Sequence, residues 1–157
     1  MIKSRLCDLL GIKYPILQAG MGPFSNNNLC VAAAAGALGL LSTSGLFNKE
    51  TQPKVYNAFC DTGEANRDDD MATVLETVLK RTHRLVKDKG GVFGPNIMVS
   101  AELKEYSKIM IEAAIKVREE NPEMNNTLKV YDRSGHQGTG RKSRDEQYPQ
   151  GNLYLRR

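Results

Sequence analysis

At 157 residues, 40% hydrophobic and 25% charged, with a mean hydropathy of -0.45, the chain has the make-up of one ordinary globular domain rather than of a disordered or fibrous protein. Its longest apolar stretch, Leu29 to Leu41, is shorter than the roughly 20 residues a bilayer-spanning helix needs, and Asp8 interrupts the opening apolar run of a secretory or transit segment, so no membrane contact and a cytoplasmic location are expected. The net charge of +4 does not point to nucleic acid: Arg133, Arg141, Lys142, Arg144, Arg156 and Arg157 oppose Asp132, Asp145 and Glu146 in a tail, with no aromatic platform among them.

In chain order, Pro15 to Ala19 is a short apolar run between Pro and Gly, which predicts a buried strand of a parallel sheet. A loop from Gly20 to Phe24 follows. Ser25 to Asn28 carries helix-start chemistry, and Leu29 to Ala37 has the alanine-rich composition of a helix packed close on a sheet, with Gly36 at its end. Leu38 to Thr43 lacks alternation and predicts a second strand covered on both faces. This β-loop-α-β order belongs to α/β folds with right-handed crossovers.

From Phe47 to Asp70 the chain turns polar and reads as a long loop. Met71, Val74, Leu75, Val78, Leu79, Leu85 and Val86 then recur at helical spacing, with acidic residues at the start and lysines at the end. Gly90-Gly91 stops that helix, and Val92 to Val99 predicts a third buried strand. Glu102 to about Ile115 is helical again; the helix either continues to Glu120 or gives way to a short strand at Ile115 to Val117. Leu128 to Tyr131 is one more candidate strand. Beyond it, residues 131–157 offer only Tyr131, Tyr148, Leu153, Tyr154 and Leu155 as large apolar side chains, so 1–130 reads as the folded unit and 131–157 as a polar, basic, solvated or disordered tail.

The three cysteines, Cys7, Cys30 and Cys60, are widely spaced and form no metal or redox pair. Cys7 and Cys30 sit in apolar patterns and are expected to be buried, Cys60 exposed. His83 lies among Arg81, Arg84 and Lys87 and is expected to be solvated.

Three stretches carry a resemblance. They are Tyr14-Pro15-Ile16-Leu17-Gln18-Ala19-Gly20-Met21-Gly22, then Ala32 to Ala35 with Gly36-Ala37-Leu38-Gly39-Leu40-Leu41, and Phe93-Gly94-Pro95-Asn96-Ile97-Met98. In this order they resemble the nitronate monooxygenase family, formerly called 2-nitropropane dioxygenases. Its members open with P-I-x-Q-G-G-M, continue with an alanine-rich helix and A-G-G-L-G, and carry F-G-V-N on a later strand. The flavin-dependent enoyl-acyl-carrier-protein reductases share the pattern. The match covers residues 5–46 well and 90–118 moderately.

The resemblance implies an α/β fold, an incomplete TIM (β/α) barrel of four or five β/α units, binding FMN at the C-terminal ends of its strands. Gly20, Met21 and Gly22 map to the loop against the flavin ring, and Asn96 to the family's strand asparagine. Glycine lets backbone N–H groups approach a planar ring, and asparagine offers a donor and an acceptor. A ligand-free strand-to-helix turn and a capped strand end are the alternatives these residues leave open. The dinucleotide pattern G-x-G-x-x-G fails at Ser25 and lacks its acidic partner.

His136, in Ser134-Gly135-His136-Gln137-Gly138, resembles the family's G-G-H-x-G loop, whose histidine takes the proton from the carbon beside a nitro group; imidazole suits that task. A polar tail containing Gly-His is the alternative. The function implied is FMN-dependent oxidation of small alkyl nitronates or nitroalkanes by oxygen, with enoyl reduction by NAD(P)H as a second reading. A third is a non-catalytic fragment or interaction module whose basic tail contacts an acidic partner.

The chain departs from the family in three places. Eight β/α units take about 250 residues, so a truncated member is expected, with open sheet edges covered by self-association. Glu119-Glu120-Asn121-Pro122 stands for the family's A-G-N-P turn, putting two carboxylates where backbone should approach FMN. Asn48 to Asp70 lengthens the second loop.

Overall fold

The structure, a computed structural model, describes residues 4–21 and 27–130. It is a mixed α/β fold in which helix α1 (Arg5–Leu10) precedes strand β1 (Leu17–Gln18), α2 (Asn27–Ala33) and β2 (Leu38–Ser42). Helices α3 (Pro53–Gly63) and α4 (Met71–Val86) lead to β3 (Val92–Asn96), and α5 (Lys104–Glu120) follows. The three strands form a parallel sheet in the order β1-β2-β3, with Leu17 opposite Leu38, Leu38 opposite Val92 and Ser42 opposite Asn96. After α5 the chain returns beside β3: Phe93 donates its N–H to the Thr127 carbonyl and accepts from Lys129, both at 2.8 Å, in a parallel bridge to Leu128.

Strand alternation divides the core in two. Leu41 and Phe93 point to the face covered by α2, α3, α4 and α5, among Cys30, Phe59, Val74, Leu75, Val78, Met110 and Val117. Leu38 and Val92 point to the other face, where Cys7, Leu10 and Ile12 cover their N-terminal part. On the helical side the approach is close enough to demand glycine: a Cβ on Gly39 would stand 2.3 Å from the Cys30 carbonyl oxygen. Cys30 is fully buried there, and burial pushes its thiol up to about 12.

Several expectations need correction. The first strand is parallel, as its composition indicates, but it is not buried: Ile16 and Leu17 are 57% and 46% exposed. Among the described residues β1 pairs only with β2, and two residues of pairing on a sheet edge leave its apolar side chains without a covering layer. Strand β3 ends at Asn96, so Met98 and Val99 are exposed loop residues. The polar stretch after Phe47 is not one long loop, because it contains α3. Pro53 starts that helix with a φ already suited to it, and Tyr56, Phe59, Cys60 and Gly63 form its buried stripe. Cys60 is therefore buried, not exposed, and desolvation raises its pKa.

Helix α4 follows its periodicity closely. Asp70 caps it by accepting from the Thr73 N–H and hydroxyl, both at 2.9 Å. Those bonds hold the Asp70 carboxyl below the usual carboxylate value. A depressed pKa gives stability that is present above the unfolded value near 3.8 and is lost as the pH falls through the lower folded value. We expect Asp70→Ala to cost about 1 kcal/mol at neutral pH and progressively less as the pH falls below 3.8, as read by urea unfolding across that range.

His83 is half-buried rather than fully solvated. Its Nδ1 lies 2.7 Å from the Thr127 hydroxyl, which itself donates to the Met124 carbonyl. The contact ties α4 to the segment that bridges β3 at Leu128, where the expected strand Leu128 to Tyr131 is reduced to a single bridge. Partial burial lowers its pKa. Helix α5 runs unbroken to Glu120, which excludes a strand at Ile115 to Val117.

Candidate functional site

Parallel strands place all their C-terminal ends on one edge of the sheet, and ligands of α/β folds gather at that edge. Here it presents Gln18, Ser42 and Asn96, with the loops that follow them. The pairing of β1 stops at Gln18 opposite Gly39. Beyond that point the Gln18 side chain stands in for backbone, its Oε1 accepting from the Leu40 N–H at 3.1 Å while its Nε2 donates to the Ala19 carbonyl. The loop is thereby released from β2 without stripping the ladder of a partner.

The released loop runs to β3. Gly20 lies against the Asn96 side chain so closely that an added Cβ would stand 2.3 Å from Oδ1 and 2.7 Å from Cβ of Asn96. Only a residue without a side chain permits this contact. Asn96 is half-buried, and its side-chain amide has no hydrogen-bond partner among the described residues. Its backbone is fixed from the neighbouring strand: Thr43, fully buried, donates to the Asn96 carbonyl through its hydroxyl at 3.0 Å and its N–H at 3.3 Å.

Around this contact hydroxyl and amide groups gather. The Ser42 and Ser44 hydroxyls meet at 3.0 Å, and Asn48 donates to the Ser44 carbonyl at 2.8 Å. The loop after β3 is anchored by Ser107, whose hydroxyl donates to the Met98 carbonyl at 2.7 Å. Met21 and Met98 remain exposed. The site thus combines a close-approach backbone, one amide able to donate and accept, and two polarizable apolar side chains. Such a set can bind a planar molecule with a polar rim, and among the described residues its reactive groups are the Ser42 and Ser44 hydroxyls.

Of the residues singled out in the sequence, Gly20 and Asn96 are brought into contact and Met21 lies beside them. Gly22 and His136 are outside the described residues, as is the whole of the tail from 131. Glu119 and Glu120 do not intrude on the site. They are exposed residues at the end of α5, which must run back from β3 to feed a parallel neighbour, so they stand at the opposite edge. Thr43 was visible in the sequence only as the end of a buried strand; its grip on Asn96 depends on the pairing of β2 with β3, which no local pattern specifies.

An open groove of about 320 Å³ also lies at that opposite edge, lined by Gly11, Lys13, Gly36, Lys89 and Gly90 among others. The C-terminal ends of helices meet there, an environment that suits the two lysine ammonium groups and disfavours an anion.

No family model, curated protein or solved structure matches the chain. Among the described residues no helix is long and apolar enough to cross a membrane.

Proposed function

We propose that the chain is an FMN-dependent oxidoreductase of the nitronate monooxygenase type, formed from the opening β/α units of a TIM barrel. The observation that carries this reading is the contact of Gly20 with Asn96. These residues are far apart in the chain, each is matched to the flavin site by the resemblance, and they meet at the sheet edge where such a site belongs. The donor set fits the ring end of the cofactor: backbone N–H groups at Gly20 and Met21 and the Asn96 amide for its polar rim, Met21 and Met98 for its apolar faces.

Bound FMN supplies an acceptor for the electrons that a nitronate gives up. The protein's own part is to orient the ring, exclude water from its inner face and, through His136, remove the proton beside the nitro group of a neutral nitroalkane. The exposed Ile16 and Leu17 at the β1 edge fit closure of the unit by a second copy of the chain. The working location is the cytoplasm and the substrate a small molecule.

Oxygen uptake with an alkyl nitronate, set beside NAD(P)H-dependent reduction of an enoyl thioester, tests the reading. Turnover of the nitronate alone is expected; turnover of the thioester alone would transfer the chain to the reductases. His136→Ala should slow a neutral nitroalkane by about a hundredfold or more and leave the nitronate, which has no proton to lose, nearly unaffected. Equal losses on both would remove His136 from the mechanism.

A further inference from the structure

We infer that Thr43 is a positioning residue of the site, holding the terminus of β3 so that the Asn96 amide stays aimed beside Gly20. Strand β2 ends at Ser42, and at Thr43 the backbone leaves the extended conformation for φ −90° and ψ 3°. That turn brings both the N–H and the hydroxyl of one residue onto one acceptor, the Asn96 carbonyl, at 3.3 Å and 3.0 Å. Two donors from a fully buried residue leave the Asn96 backbone little freedom. Its side chain is bounded on the other side by Gly20, at a separation that would admit no Cβ. The orientation of the amide is therefore set from two directions, and of the two Thr43 donors the hydroxyl is the one a side-chain substitution can remove.

A buried hydroxyl held by one hydrogen bond could serve stability alone, and a threonine could be required only for its shape. Valine keeps the shape and removes the donor, whereas serine keeps the donor and removes a methyl group. If the hydroxyl positions Asn96, serine must preserve the site and valine must not.

The consequence for flavin affinity rests on the proposed function; the hold on Asn96 does not, so the two are measured separately on the full chain. In nitrogen-proton correlation spectra, the Asn96 side-chain NH2 pair is assigned by its loss in Asn96→Asp. Thr43→Val should shift or double that pair while Thr43→Ser leaves it in place. In parallel, Thr43→Val should weaken FMN binding by about tenfold, the scale of one lost hydrogen bond, with Thr43→Ser within about twofold of the parent. Thr43→Ala replaces the valine variant if the latter fails to fold. An Asn96 pair unmoved by loss of the hydroxyl, or moved as far by serine as by valine, would overturn the inference. If the parent chain binds no FMN, the flavin reading fails and the spectra still decide the role of Thr43.

Discussion

Gly20→Ala should abolish or severely weaken FMN binding while leaving the fold nearly intact. The new Cβ would fall 2.3 Å from Oδ1, 2.6 Å from Cγ and 2.7 Å from Cβ of Asn96, so one of the two must yield. The Asn96 backbone is held by Thr43, and its half-buried side chain is the softer element. It should turn away, taking its amide out of the site. Overpacking at a surface loop that can relax in this way costs about 1 kcal/mol of stability, whereas losing one or two hydrogen bonds to a ligand costs about ten- to a hundredfold in affinity. Asn96→Ala should weaken binding to the same degree. The double variant should be no worse than either alone, because both substitutions remove one interaction. Additive losses would show that Gly20 and Asn96 act on the ligand independently.

Phe59→Ala should be the most destabilising single substitution away from the strands. Phe59 is fully buried on α3, within the cluster that includes Leu41, Val74 and Met110, and it packs against Gly45 so closely that a Cβ there would stand 3.0 Å from its Cβ and 3.2 Å from its ring. Removing a buried phenylalanine side chain costs about 3–5 kcal/mol, a large share of the 5–15 kcal/mol by which domains are typically stable. Urea unfolding should show a midpoint lowered accordingly with little change in slope. A loss below about 1 kcal/mol would mean that α3 is an appendage and not part of the core.

That helix also shows where sequence reasoning stops. The pattern of α4 was legible because its apolar residues repeat over four turns and Asp70 marks its start. Helix α3 carries the same kind of stripe in only eleven residues, with Asn57, Asp61 and Thr62 between its apolar positions and polar sequence on both sides, so composition outweighs periodicity. Strands β2 and β3 were legible because their apolar runs lack alternation and lie close after Gly36 and Gly91. The exposure of Leu17 was not, since whether an apolar strand lies at the edge of a sheet depends on its neighbours and not on its own residues.

The candidate site was legible in the same uneven way. Gly20 and Asn96 were reached through the ordered resemblance, and the fold adds that they touch. Gln18 was legible as part of that pattern, but its use as a substitute rung on the β1–β2 ladder needs the register. Thr43 required the pairing of Ser42 with Asn96, a long-range fact. His83 looked solvated because its helix neighbours are basic; its partner Thr127 lies on the far side of α5 in sequence.

The proposed flavin site has Gly20, Met21 and Asn96 at its ring end. Its most direct test is titration of the purified full-length chain with FMN, followed by quenching of flavin fluorescence, with sedimentation of the same samples. Saturable micromolar binding by a discrete oligomer is expected, and its loss in Gly20→Ala. A folded chain whose sedimentation is sharp and whose flavin fluorescence is unchanged at every concentration would contradict it.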